Sequence, residues 1–346
     1  MTGKYLNMRL ALVATIIFLS SNQTGNANDI YINQVGHDTD IDIVQDGADN
    51  KVRSLSTTGG DARLSGNDKV VDLTQTGDNN RIGIWTSGTY QTINVTQDGN
   101  SNVSRVDNHG NNNDITLNID GDSNITHTEI GNGGDDNNNM SLTIDGDSNN
   151  AYVEVLNGDS NNVDVQIHKQ DNNLIRVTVN GTSNNVKAYQ GKHEDGSVDA
   201  DETGDNEGYW IVSGNSNTLA SYQTDDNGNG GQHFANYITG SSNTVKHTQR
   251  GASDHRGFIE IGGDSNTVDL TQRGNSNVQF ADIVLDDGHT VDVHQRYGSH
   301  TTNIDLTNAG GAYNLDLTQH ANTNQTYNMT GTCTNATGCA VTVTQN

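Results

Sequence analysis

Glycines at positions 66, 77, 88, 99, 110 and 121 recur every 11 residues. A half-period of 11 means that each coil of such a chain holds two strands and two turns. Val71 to Ile82 shows the unit: Val-Asp-Leu-Thr-Gln-Thr-Gly-Asp-Asn-Asn-Arg-Ile. Val71, Leu73 and Gln75 share one side-chain parity and point to one face of an extended chain, with Asp72, Thr74 and Thr76 on the other. Gly77, Asp78 and Asn79 tolerate left-handed backbone angles, and Asn80, Ile82 and Ile84 resume the inward alternation after the bend. The pattern returns 22 residues later in Ile93, Val95, Gln97, Gly99 and Asn102. It returns again in Ile115, Leu117, Gly121 and Asn124, with Ile119 in place of the glutamine. A coil this thin cannot bury both of its faces alone, so neighbouring coils must stack. The chain predicts an all-β fold, a β-solenoid of stacked strand-turn-strand coils with about 22 residues per coil.

The repeat overrides what composition alone implies. An apolar content of 30% with a net charge of −26 argues for disorder in a chain without periodicity. The absence of proline fits a chain in which every coil uses its amides, because proline cannot donate to a strand ladder. The balance of 43 acidic against 17 basic residues excludes a nucleic-acid partner, which needs a basic footprint. Aligned outward carboxylates on coils about 4.8 Å apart repel one another and slow association with other chains.

Lys4 and Arg9 precede an apolar run from Leu10 to Leu19 and a small-residue segment ending in Gly25-Asn26-Ala27. Residues 1–27 read as a secretory signal peptide and 28–346 as the mature repeat domain. The apolar run is half the roughly 20 residues that a membrane span requires, and no second run follows, so the mature chain is expected to have no span. Interruptions near 53–63, 191–208, 225–231 and 252–257 read as loop insertions at turns, where a solenoid tolerates them. Cys333 and Cys339 lie in a Thr/Asn/Gly-rich turn, and a disulfide closing that turn is the default in an exported chain.

Four copies of Gln-x-Gly-x-x-Asn punctuate the chain, at Gln45-Gly47-Asn50, Gln75-Gly77-Asn80, Gln97-Gly99-Asn102 and Gln272-Gly274-Asn277. With the preceding apolar-x-apolar pair, this pattern resembles the curlin repeat of bacterial curli fibre subunits. The resemblance covers most of the mature chain. It implies a secreted subunit on the surface of a Gram-negative-type bacterium, exported through an outer-membrane channel. Its partners are then copies of itself or related fibre subunits, in amyloid-like fibres that serve adhesion and biofilm matrix. The chain departs from curlins in its many coils, in the absence of a Gly-rich leader before the first repeat, and in the glutamines lost at Ile119, Ile144 and Val179.

Stacking in register brings Gln75 near Gln97, and Asn80 near Asn102 and Asn124, where amides form ladders along the axis. The competing reading makes these residues turn formers only, which suits Asn better than Gln. An open solenoid also presents unpaired strand edges at its ends, which are templates for another chain. The rival to a polymer is a non-polymerising cell-surface adhesin or fibre-nucleating minor subunit. Asp120, Asp122, Asp145 and Asp147 offer the oxygen ligands that calcium takes. The calcium-binding Gly-Gly-x-Gly-x-Asp repeat is missing, and turn chemistry accounts for these aspartates. No metal, cofactor or catalytic residue is assigned, since the histidines are scattered and paired acids such as Asp225-Asp226 lie in turns.

Overall fold

The computed structural model describes residues 13–17, 30–46, 49–53, 62–131, 137–145, 147–156, 160–167, 174–181, 183–190, 207–223, 232–250, 255–273, 278–307, 313–320, 325–331 and 339–345. Regular structure among them is all β, and no helix is long and apolar enough to cross a membrane. The strands form a β-solenoid: inner strands pair in parallel with the strands one coil below and one coil above. One ladder runs Thr39–Gln45, Lys69–Gln75, the second halves of Ile84–Gln97 and Ser104–Ile119, Asn139–Ile144, Asn162–Ile167 and Val186–Gln190, and ends in Leu315–His320 and Val341–Gln345. The opposite ladder includes Ala62–Ser65, the first halves of those two long strands, Thr126–Ile130, Ala151–Leu156, Leu174–Asn180, Glu207–Val212, Gln232–Ile238 and His255–Ile261.

Alternation decides what faces inward. Thr39–Gln45 and Lys69–Gln75 bury every second residue, as a two-residue side-chain period requires. The inward residues stack into columns, with Ile41, Val71, Ile93, Ile115, Met140, Val163 and Val186 in register. All of them are buried, and each such aliphatic side chain contributes roughly 1.5–3 kcal/mol by leaving water.

The bend between the ladders explains the glycines at 66, 88 and 110. Gly66 and Gly88 have φ of 133° and 128°, and a Cβ on Gly66 would sit 1.4 Å from the Gly36 carbonyl oxygen. Next to these glycines Asp38, Asp68, Tyr90 and Asn112, and Asn137 at the same level of the following coil, all have φ between 50° and 55°. In these five coils one left-handed residue turns the chain from one sheet into the other.

The step of 22 residues holds from Gln75 to Gln97 and from Asn80 to Asn124, but later steps lengthen to 23, 25, 26 and 33. Coils are on average about 24 residues apart. This drift corrects the expectation for Val179. It pairs with Val155 and Val212 in the ladder opposite the glutamines, and Ile167, in register with Ile144 and Gln190, holds the glutamine's place instead.

Most of the expected loop insertions fall outside the described residues, but their ends do not. Strands already run from Ala62, Glu207 and His255. Gly208 and Gly257 occupy inward positions there and hide the alternation. A Cβ on Gly208 would lie 1.7 Å from the Trp210 ring, so the missing side chain makes room for buried Trp210. At the N-terminal end, Val13–Ile17 from the apolar leader lies parallel on Thr39–Gln45, with Ala14 opposite Ile41.

Candidate functional site

The glutamines meet at the end of the inward strand face. Gln45 donates from Nε2 to Gln75 Oε1 (2.7 Å), and Gln75 donates to Gln97 Oε1 (2.9 Å), all three buried. Ile119 occupies the next level, and Gln97 turns its amide to Ser104 Oγ. After Ile144 and Ile167 the column resumes: Gln190 donates to Gln223, Gln223 to Gln249, and Gln249 to Gln272, at 2.7, 3.1 and 2.7 Å. It then reverses, because Gln345 donates to Gln319 and Gln319 to Gln295, each at 2.8 Å. Gln272 and Gln295 meet at the reversal, and the Nε2 of each is buried there without an acceptor.

Asparagine serves two ends at once. Asn80 donates to the Gly77 carbonyl within its own turn and to Asn50 Oδ1 of the coil below. Asn102 and Asn124 repeat this toward Asn80 and Asn102, at 2.8 and 2.7 Å. At the opposite bend, which precedes the glutamine strand, Asn184, Asn217, Asn243 and Asn266 form a second column, each binding the glycine carbonyl three residues back and the asparagine below. An amide has two N–H groups, so one Nδ2 fixes both the turn and the stacking register. The bonds among Asn50, Asn80, Asn102 and Asn124 are all donated toward the N-terminus. The turn glycines admit no substitute, since a Cβ on Gly99 would lie 1.8 Å, and one on Gly121 1.4 Å, from the glycine carbonyl oxygen of the preceding coil. Gly47, Gly274 and Asn277 lie outside the described residues. Cys339 is disulfide-bonded, and Cys333 lies outside them.

Sequence reasoning missed the column of the opposite bend, whose earlier members lie below Asn184. Gln91 Nε2 donates to Gly88 O at 2.7 Å and Asn113 to Gly110 O, while Lys69 Nζ reaches Gly66 O and Ser87 O. The signal was a polar residue three places after each of those glycines. Burial pulls the Lys69 ammonium down to about 8 against the opposing field of Asp68.

Two further polar groups interrupt the regular pattern. Asn236 Nδ2 approaches His247 Nδ1 at 2.9 Å in the core, where burial and then neighbouring His255 lower the His247 pKa to about 3. The imidazole is therefore neutral, and Nδ1 is the acceptor. On the outer face, ligand atoms of Asp107, His127 and Glu129 lie within 4.8 Å of one another, the arrangement among the described residues nearest to a metal centre. Arg105 engages both Asp107 oxygens, with its shortest bond at 2.7 Å. The aspartates considered for calcium lie elsewhere, and Asp122 accepts from Asn100 at 2.6 Å.

Residues 66–99 match the family model for the curlin associated repeat. These residues carry a curlin repeat. They span the bend at Gly66, the strand to Gln75, the turn from Gly77 to Asn80 and the strand to Gln97, which is about one and a half coils. No curated protein and no solved structure gives a match.

The strand at 341–345 shows what such a stack of coils leaves open. Val341–Gln345 pairs on one side with Leu315–His320 and has no strand on the other among the described residues. Val341 and Val343, in register with core residues Leu315 and Leu317, are 42% and 39% exposed. The edge repeats the apolar-x-apolar-x-Gln pattern of inner strands such as Lys69–Gln75.

Proposed function

We propose that this chain is an exported structural subunit of curli-like extracellular fibres, polymerising end to end by strand stacking and serving surface adhesion and biofilm matrix. The observation that carries the reading is the C-terminal edge, where Val341, Val343 and Gln345 continue the inner columns into solvent. The matching strand is Thr39–Gln45, whose Ile41, Ile43 and Gln45 have the same spacing and whose Gln45 Oε1 has no partner. In the full chain Val13–Ile17 covers that strand, and removal of residues 1–27 as a signal peptide frees it. Curlin repeats build structural proteins, and no catalytic role is assigned to any residue.

Negative-stain microscopy with fibre diffraction of residues 28–346 at neutral pH tests this. Fibres with a meridional spacing of about 4.7–4.8 Å are expected. Full-length chain, its first edge covered, is expected to assemble more slowly. Isolated short rods at high concentration would reject polymerisation and leave the non-polymerising adhesin.

A further inference from the structure

On the glutamine-bearing sheet the outward row Asp42, Asp72, Asn94, Thr116 and Ser141 is polar throughout. The opposite sheet departs from this over a run of coils. One of its outward rows reads Tyr152, Arg176, Tyr209, Ala235 and Phe258, each residue in register with the next. Aromatic rings thus stand on alternate coils, roughly 9.5 Å apart at the usual spacing of parallel strands. Ala235 leaves a gap between two of them, and Tyr209, His233, Ala235, Arg256, Phe258 and Phe280 enclose a groove of about 240 Å³. Tyr237 tilts against Phe258 with ring centroids 5.2 Å apart, closing one flank while staying 40% exposed. The row returns to Asp282 and Asn303 beyond Phe258.

We infer that this strip binds an extended neutral polysaccharide of β-linked pyranoses, its sugars lying on the Tyr152, Tyr209 and Phe258 rings along the solenoid axis. The C–H faces of a pyranose stack on aromatic rings. An extended β-linked ribbon turns the same ring face outward at every second sugar, a step close to two coils of this ladder. Rings on every second strand of a rigid sheet are held at that step before any ligand arrives, so little freedom is lost on binding. Arg176 and Arg256 lie between Glu154, Glu207 and Glu260 on neighbouring positions of the same face. Such mixed donors and acceptors suit sugar hydroxyls. Stacked nucleic acid and polyuronates are disfavoured, because a net charge of −26 repels any polyanion. The inference stands apart from the polymerisation reading, since the strip lies on the side of the solenoid and not at its ends.

Calorimetric titration of the purified chain with cellohexaose tests it, with maltohexaose and a hexauronate as comparison ligands. Cellohexaose is expected to bind, and the other two to bind at least tenfold more weakly. Tyr209→Ala and Phe258→Ala should each weaken cellohexaose binding at least tenfold, Tyr209→Trp should preserve it, and Thr116→Ala on the other sheet should leave it unchanged. Should an alanine variant misfold by circular dichroism, Ala235→Leu, which fills the gap between two rings, serves in its place with the same expected loss. No heat with cellohexaose, equal binding of all three sugars, tighter binding of the hexauronate, or ring variants that bind like the parent would each overturn the inference. Because binding is read on dispersed chains, failure to form fibres does not bear on it.

Discussion

Tyr90 carries a left-handed backbone at a place where the other coils use Asp38, Asp68, Asn112 and Asn137. A bulky residue pays about 1–2 kcal/mol for that geometry, which Asn tolerates better. Tyr90→Asn is therefore expected to stabilise the chain by about 1 kcal/mol, read as a higher denaturant midpoint, since the 62% exposed ring gives up little packing. The opposite outcome belongs to Gln97→Ala. It strands the buried Nε2 of Gln75 and costs about 1–3 kcal/mol, visible as a lower melting temperature. Lys69 is a third case. Gln91 makes the same bond one coil on without a buried charge, so Lys69→Gln should leave the melting temperature unchanged or raise it.

At the scale of strands and turns, the stretch from Val71 to Asn124 was legible because apolar-x-apolar-x-Gln displays its parity openly. Elsewhere the parity was concealed. Gly208 and Gly257 face inward but have no side chain to announce it, and turn insertions shifted the phase so that Ile167, not Val179, fell into the glutamine column. Inward polar residues such as Lys69, Asn236 and His247 read as surface residues in a linear chain, because the partners that satisfy them lie in neighbouring coils. Those imidazoles set the acid response. Burial lowers His247 to about 3 and His300 to about 4, from an ordinary 6.5. The unfolded chain then binds protons that the folded one refuses, so stability is full above pH 6.5 and falls as pH drops toward 4. Outward carboxyls oppose this trend. Burial and then neighbouring Asp305 raise the Asp282 pKa, and burial raises Asp292, with His294 opposing and Asp269 and Asp316 adding to the rise. For a raised carboxyl the penalty is present at neutral pH and relieved on acidification. Thermal melts between pH 4 and 7 should show net loss toward acid, and His247→Leu should reduce the slope.

For the whole molecule, the two ends matter more than the length. Val343→Lys places a charge on the open edge without disturbing inner coils, and should slow fibre growth in light scattering while leaving the melting temperature within about 2 °C, the range of small surface effects. A variant that assembles at the parent rate would show that growth uses another surface. The parallel register has a mechanical consequence. Backbone bonds such as Val52 N to Arg81 O and Ile82 N to Val103 O, and both amide columns, join each coil to the next along one axis. A pull along that axis loads every bond between two coils together, whereas bending opens them one after another from a single side. Such a rod is stiff in tension and yields first by peeling.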